Sequence, residues 1–256
     1  MGLRADIKYW ARKTLLFLLN GLTLLPTRQL ESLLYVFVEG RVRNLPPDDA
    51  LRFLFRLDRR LYRLEGRMAV EYGGGIHTKH RHTHYHDFFV KRVRSGERVL
   101  DIGCGHGAVA YDVAEKAGAY VVGVDLNADN IALAHQRHAH PRIEYRVGDA
   151  LESLPDGPFD VVILSNVLEH LSDRPAFLRR VQEIAYPSRI LIRVPVFERD
   201  WRVPLKQELG VEWRLDSTHM TEYTLESFAE EIAQAGLSIT HQEVRWGEIW
   251  AEVRPS

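Results

Sequence analysis

The residues best placed to do chemistry lie in Val99-Leu100-Asp101-Ile102-Gly103-Cys104-Gly105-His106-Gly107. A short apolar stretch ends in an acid and runs into three glycines at alternate positions. Glycine reaches backbone angles closed to other residues and lets a ligand come close to the main chain. A strand feeding such a loop, with a helix behind it, is how doubly wound α/β folds hold a nucleotide-like cofactor. The spacing Gly-x-Gly-x-Gly differs from the Gly-x-Gly-x-x-Gly of dinucleotide binders. A second apolar stretch, residues 120–125, also ends in an acid, Asp125. The tip of the second strand is where this architecture hydrogen-bonds ribose hydroxyls. Residues 143–150 end in Gly148-Asp149-Ala150, and residues 159–166 end in Ser165-Asn166 before Val167-Leu168-Glu169-His170-Leu171. His170 and His219 have the pKa class of a general base at neutral pH.

Strands must carry these positions and helices must return the chain between them. Helices are expected from Ala108 to about Lys116, stopping at Gly118, and from Asn127 to about His138, stopping before Pro141. Another starts near Ser172-Asp173 with Pro175 in its first turn, and one opens at Thr224-Leu225-Glu226 and ends at Gly236. Residues 189–194 read as a fifth strand. Residues 237–244 and 248–253 read as two more around Trp246-Gly247, a hairpin signal. Strand–helix alternation implies a parallel sheet, and the hairpin adds one antiparallel strand. With 256 residues, 45% hydrophobic and 27% charged, the chain can bury a full core. The single cysteine, Cys104, excludes an internal disulfide and reads as a small packed residue rather than a catalytic thiol.

Four blocks in this order, each on a strand tip, resemble the class I S-adenosylmethionine-dependent methyltransferases. The resemblance covers roughly residues 80–256 and is strongest over 99–171. It implies a doubly wound, mostly parallel, seven-stranded Rossmann-like sheet with a C-terminal antiparallel hairpin. It also implies S-adenosylmethionine as methyl donor, leaving S-adenosylhomocysteine. The cofactor-binding positions carried over are Tyr85, Asp101, Gly103, Gly105, Gly107, Asp125, Leu126, Asp149, Ala150 and Asn166, with Asp149 meeting the adenine amino group. The catalytic end lies after strand four, which makes His170 a base candidate; His219, in the long connection after strand five, is the second. Lys79-His80-Arg81 with Tyr85-His86-Asp87-Phe88-Phe89-Val90 is similar to the helix preceding the glycine loop in methyltransferases of bacterial surface-glycan clusters. There Phe88, Phe89 and Val93 would pack, and Tyr85 and His86 would face the methionine end. Some relatives, including quinone-ring O-methyltransferases and small-RNA 3′-end methyltransferases, bind a divalent metal through Glu-x-x-Glu-His. Here Asn166 stands at the first carboxylate, which weakens a hard-cation site, so no metal is expected. The histidines between His77 and His86 have only Asp87 as a nearby acid and no cysteine, and carry no metal expectation either.

Two acceptor classes stay open: a hydroxyl of a sugar or glycolipid as the main expectation, and a small metabolite or quinone-like lipid as the alternative. Nucleic acid and protein fit less well. No aromatic-studded sheet of an RNA module is legible, and the Asn/Asp-Pro-Pro-Tyr/Phe motif of amino-nitrogen methyltransferases is absent. The long connection over residues 197–223 offers Trp201, Trp213 and Tyr223 for stacking and arginines for phosphate or carboxylate.

The net charge of -1 is unevenly placed, because residues 1–100 hold 19 Lys+Arg against 10 Asp+Glu. Ile7, Trp10, Ala11, Thr14, Leu15, Leu18, Leu19 and Leu22 recur at helical spacing, with Arg4, Lys8 and Arg12 on another side. The apolar run is too short to cross a bilayer. It reads as a helix packed on the catalytic domain or a second subunit, giving a homodimer, or as one lying on a membrane through residues 1–25. A second helix begins at Pro26-Thr27 with Leu30, Leu33, Leu34 and Phe37 on one face. A third begins at Pro46-Pro47-Asp48-Asp49, with Leu51, Leu54, Phe55, Leu61, Leu64 and Met68 as its apolar face. Residues 1–75 are therefore expected to form a helical extension ending at Gly73-Gly74-Gly75, and residues 76–256 the methyltransferase domain. The absence of a small-residue cleavage site predicts a cytoplasmic location, peripheral on the inner membrane if the front helix lies on lipid.

Overall fold

A computed structural model describes residues 21–256. The expectations for residues 1–20 lie outside the described residues. The chain divides into two compact units that meet between Leu61 and Tyr62.

The first unit holds α1 (Thr27–Arg43) and the opening turns of α2 (Pro47–Tyr72). Pro47 occupies the first turn, where its missing N–H costs nothing. Asp48 and Asp49 complement the helix dipole and both bind Arg52, at 2.6 and 3.0 Å. The expected apolar faces are only partly covered. Ala50 and Phe55 of α2 are buried, whereas α1 has no buried residue, and Leu33, Leu34, Phe37, Leu61, Leu64 and Met68 are exposed.

The second unit holds the end of α2, followed by α3 (Lys79–Thr83) and α4 (Tyr85–Val90), broken at His84, whose φ is +50°. The histidine run is thus helical, and its even-numbered members do not share one face as an extended chain would make them do. The strands β1 (Arg98–Ile102), β2 (Tyr120–Asp125), β3 (Ile143–Val147), β4 (Val161–Ser165), β5 (Arg189–Pro195), β6 (Leu237–Arg245) and β7 (Glu248–Pro255) form one sheet in the order β3-β2-β1-β4-β5-β7-β6. β1 to β5 are parallel, and β7 is antiparallel to both neighbours. The β6–β7 turn is built on Trp246 and Gly247, both at positive φ, as a tight two-residue hairpin requires.

The central strands are apolar throughout because both sheet faces are covered, as parallel sheets demand. Leu100, Val162, Leu164, Ile190 and Ile192 pack under α7 (Arg174–Ala185) and α8 (Leu225–Gln234). Their neighbours Val99, Val161, Ile163 and Leu191 point the other way. There they meet Phe88 and Phe89 of α4, Val109 of α5 (Ala108–Asp112) and Ile131 of α6 (Ala128–Arg137). Phe88, Phe89 and Val93 are buried, as the sequence predicts.

Three buried charged residues interrupt these strands; Arg189 and Arg193 of β5 are paired with Glu97 and Glu248, and Asp101 is not paired. Asp101, on the central strand, is 1% exposed, and its Oδ2 has no hydrogen-bond partner among the described residues. Burial and then the Asp125 charge push its carboxyl up to about 8. The folded protein therefore keeps a proton that the unfolded chain gives up above about pH 4. Stability must fall as pH rises from there towards 8. In the cofactor-free protein, Asp101→Asn removes that loss. The variant's melting temperature relative to the parent is expected to rise by roughly 4 °C or more between pH 5 and pH 9, the effect of ~1–2 kcal/mol in a domain of this size. Parallel thermal melts by circular dichroism check it; a constant difference would mean that Asp101 does not hold the proton.

Candidate active site

Every parallel strand delivers its C-terminal end to one edge of the sheet, and the predicted cofactor positions collect there. Gly103 follows β1 at φ +70°, and a side chain on it would meet Val167 Cγ2 at 2.7 Å. Gly107, at φ +78°, leads into α5, and a Cβ there would run into the Tyr145 ring. These two glycines are dictated by both angle and space. Between them, Gly105 N–H donates to Asp125 Oδ2 at 2.8 Å. Asp125 Oδ1 accepts from Asn127 N–H and Asn130 Nδ2, at 2.9 and 3.1 Å. This carboxylate clips the glycine loop to the tip of β2. Leu126 beside it is 70% exposed, free to lie against a flat ring. Asp149 is half-buried beyond β3 and caps its own loop through Leu151 N–H, with Ala150 packed against the core. Asn166 follows β4 at φ +59°, with its Oδ1 buried and without a partner among the described residues.

Tyr85 is buried, with the Arg193 guanidinium stacked on its ring at 3.9 Å. Arg193 is itself held by Glu248 at 2.5 and 2.6 Å and by Ser165 Oγ at 3.2 Å. The Tyr85 hydroxyl lies 3.2 Å from His80 Nδ1, and His86 reaches Asp112 at 2.8 Å. Burial, helped by neighbouring His86 and Lys79, takes His80 down to about 4, so it is neutral at physiological pH. Cys104 is buried, and burial with the nearby Asp101 and Asp125 raises its thiol far above the usual range. It is a packed, protonated group, as the sequence predicts.

The second cluster lies after β4. A single 3₁₀ turn, Leu168–His170, turns Glu169 inwards, fully buried, with no partner for either carboxylate oxygen among the described residues. Burial raises its carboxyl to about 7. The two predicted bases converge here from distant parts of the chain. His170 and His219 meet edge to face with ring centroids 4.8 Å apart. His219 lies 4% exposed, with Nδ1 3.0 Å from Glu222 Oε1. Donation of Nδ1–H to that carboxylate leaves the Nε2 lone pair free. His170 Nδ1 is 3.1 Å from Thr218 Oγ1, which donates to Asp216. Burial lowers the pKa of His170. The Glu169 carbonyl accepts from Met220 N–H at 2.7 Å and Thr221 N–H at 3.3 Å, which fixes the His219 loop to this turn. One ligand-type atom from each of Glu169, His170 and His219 lies within 4.8 Å of the others. Such a set can hold a proton or a divalent cation, and Glu222 behind His219 matches the outer partner of a metal-binding imidazole. Glu222, Asp216 and Thr218 were not singled out as site residues; the spacing His219-x-x-Glu222 was the available signal.

The long connection differs from expectation. Tyr223 is 1% exposed and its hydroxyl donates to Glu231, so it is a core residue rather than a stacking platform. Trp213 packs edge to face on Phe197, while Trp201 is 70% exposed. Arg199, Arg202 and Arg214 are paired with Glu222, Asp200 and Glu212.

Among the described residues, no helix is long and apolar enough to cross a membrane. A family profile described as a methyltransferase domain matches residues 72–242. The ubiquinone biosynthesis O-methyltransferase of Rhodopseudomonas palustris (strain BisB5) is 35% identical over 156 residues, 58% of this chain and 61% of that protein. The protein of the same name from Bradyrhizobium sp. (strain ORS 278) is 33% identical over 168 residues, covering 59% and 66%. The chain thus spans about three fifths to two thirds of the length of these curated relatives. The magnesium protoporphyrin IX methyltransferase of Synechocystis PCC 6803, solved with bound SAH, shares the fold at a TM-score of 0.56 and 19% identity, over 68% of this chain and 84% of that one. Glycine loop, sheet order and family match agree: this chain belongs to the methyltransferase-domain family, the class I S-adenosylmethionine-dependent methyltransferases.

Proposed function

We propose that this protein methylates a hydroxyl of a small, quinone-like aromatic acceptor, with S-adenosylmethionine as donor. The observation that carries hydroxyl chemistry is the buried Glu169–His170–His219 group beside Asn166. The relatives' names favour the quinone-like acceptor over the sugar or glycolipid expected first. The long connection supports the same choice. Its arginines are committed to acids and Tyr223 is buried, which leaves fewer groups to receive a sugar phosphate.

The residues at the sheet edge fit the donor: a glycine cradle that a Cβ would fill, and the orphaned oxygens of Asp101 and Asn166. When bound, S-adenosylmethionine supplies a strongly electrophilic methyl on a sulfonium. Asp125 would receive the ribose hydroxyls while keeping the Gly105 loop in place. His219 Nε2, oriented through Glu222, would take the proton of the acceptor hydroxyl, and Glu169 would stabilise the resulting imidazolium. Positioning of the acceptor oxygen in line behind the methyl group supplies much of the remaining rate.

The specific observation behind a second reading is the chemistry of the same three side chains. Glu169, His170 and His219 fit a divalent cation, which would lower the pKa of a bound acceptor hydroxyl.

Four outcomes are expected. Asp125→Ala should weaken S-adenosylmethionine binding by about a hundredfold or more, as loss of a charged hydrogen-bond acceptor implies, with the melting curve still cooperative; unchanged affinity in titration calorimetry would take Asp125 out of the site. With labelled donor, purified protein should methylate a prenylated catechol and not a nucleotide sugar or glycolipid fraction. His219→Ala should lower kcat by roughly 10²–10⁴-fold at unchanged donor affinity, and labelled sugar instead would overturn the acceptor class. Chelator-treated protein titrated with Mn²⁺ or Zn²⁺ separates the two readings. Heat of binding lost in both Glu169→Gln and His219→Ala supports the cation, and no heat leaves the histidine base alone.

A further inference from the structure

Helix α2 carries two stripes that methyl transfer does not use. Leu61, Leu64, Met68 and Tyr72 recur three and four residues apart along its last turns, and they are 49%, 46%, 51% and 81% exposed. Arg52, Arg56, Arg59, Arg63 and Arg67 recur at the same spacing, with Arg60 beside them. At about 100° per residue the two stripes are centred roughly 140° apart round the helix. From Arg52 to Arg67 there are six arginines against two acids, Asp58 and Glu65. Arg56, Arg60, Arg63 and Arg67 make no ion pair among the described residues. Every residue from Arg60 to Glu65 of α2 is exposed among the described residues.

Helix α1, taken by itself, shows the same character. Five consecutive large apolar residues, Leu33 to Phe37, are 39–71% exposed, with Arg28 before them and Arg41 and Arg43 after. Contiguous exposed apolar surface on this scale marks a contact site.

We propose that α2 docks on an anionic lipid bilayer surface, with Leu61, Leu64, Met68 and Tyr72 entering the acyl boundary and the arginines reaching the head-group phosphates. A strongly amphipathic helix with a basic polar face is the form that lies in a membrane interface. The arginine stems cover apolar surface while their guanidinium groups stay at the phosphates. Charge decides between this occupant and a second copy of the chain. Pairing two copies of this helix would set two arginine-rich faces near each other with few acids to offset them, whereas anionic lipid satisfies both stripes. The contact expected from the sequence was placed on residues 1–25; this one lies on a different helix.

The test is flotation of the full chain with phosphatidylcholine vesicles, with and without phosphatidylglycerol. The parent should float with the anionic vesicles only, and salt should release it. Leu61→Glu/Leu64→Glu/Met68→Glu, all at exposed positions, should lower partitioning about tenfold or more. Arg56→Ser/Arg63→Ser/Arg67→Ser should lower it about fivefold per arginine removed. A readout that tolerates the parent surface is Met68→Cys carrying a polarity-sensitive dye, since the native Cys104 is buried. Its emission should shift to the blue on anionic vesicles. Equal flotation of parent and variants, failure of the parent to float, or an unshifted dye overturns the proposal. So does light scattering that shows a parent dimer broken by the leucine variant while flotation stays equal, for the face then binds a second copy. Vesicle binding is read without methyl transfer, so failure of either leaves the other standing.

Discussion

Strands β1 and β4 lie side by side, yet the chain leaves their ends in opposite directions, towards β2 from one and towards β5 from the other. That divergence is the constraint on which the site depends. Adjacent parallel strands whose connections part leave a crevice at their C-terminal ends, because no loop crosses it. The glycine loop rises from β1 on one side and the Asn166–His170 segment from β4 on the other. Register fixes their relative height: Asp101 stands level with Ile163, and Ile102 with Leu164. A slip of one residue would turn Asp101 to the other face and break both walls together.

Two further links hold the crevice to the rest of the fold. The Asp125 carboxylate, bound to the Gly105 amide, ties the β1 loop to β2. The Glu169 carbonyl, bound to the amides of Met220 and Thr221, ties the β4 turn to a segment some fifty residues later. This second link brings His219 to His170. Its backbone half is satisfied while its side-chain half is not, so one residue positions the loop and presents an unpaired carboxyl to the same space.

What the sequence shows and hides divides along physical lines. The glycine loop, the acids at strand tips and the Trp246-Gly247 hairpin are local: each is set by backbone angles or by alternation within a few residues, and each is found where the pattern puts it. The fate of Tyr223 and of the loop arginines is decided by partners far along the chain, which no periodicity encodes. Tyr223 looks like a loop aromatic but meets Glu231 and the core, and Arg199 looks free but meets Glu222. The amphipathic faces of α1 and α2 are legible as faces. Sequence spacing alone cannot say whether anything covers them, and the exposure of Leu33, Phe37, Leu64 and Met68 is a tertiary fact. The base pair His170–His219 is intermediate, since both residues could be named by chemistry but only the fold makes them neighbours.

Buried polar atoms without partners are rare in folded proteins, and each costs about 1–3 kcal/mol. Among the described residues four such side-chain atoms occur, on Asp101, Asn166 and Glu169. All three residues belong to β1, or to the turn after β4, on the two sides of the same crevice. Asn166 adds a left-handed backbone to its unpaired amide oxygen. Elsewhere the buried charges are matched: Arg189 with Glu97, Arg193 with Glu248, Arg199 with Glu222. Among the described residues, a fold that pairs its other buried charges but leaves those along one crevice unpaired is incomplete there in a directional way. The missing partner of the Asn166 oxygen is a donor or a cation, and the two carboxyls, which burial favours in the protonated form, lack hydrogen-bonding groups of either kind. A ligand that supplies them recovers part of that cost on binding, so occupancy and stability must rise together. Selection for packing alone would replace these groups with apolar ones of similar size. Their presence among the apolar residues of β1 and β4 is what separates a binding crevice from a gap between strands.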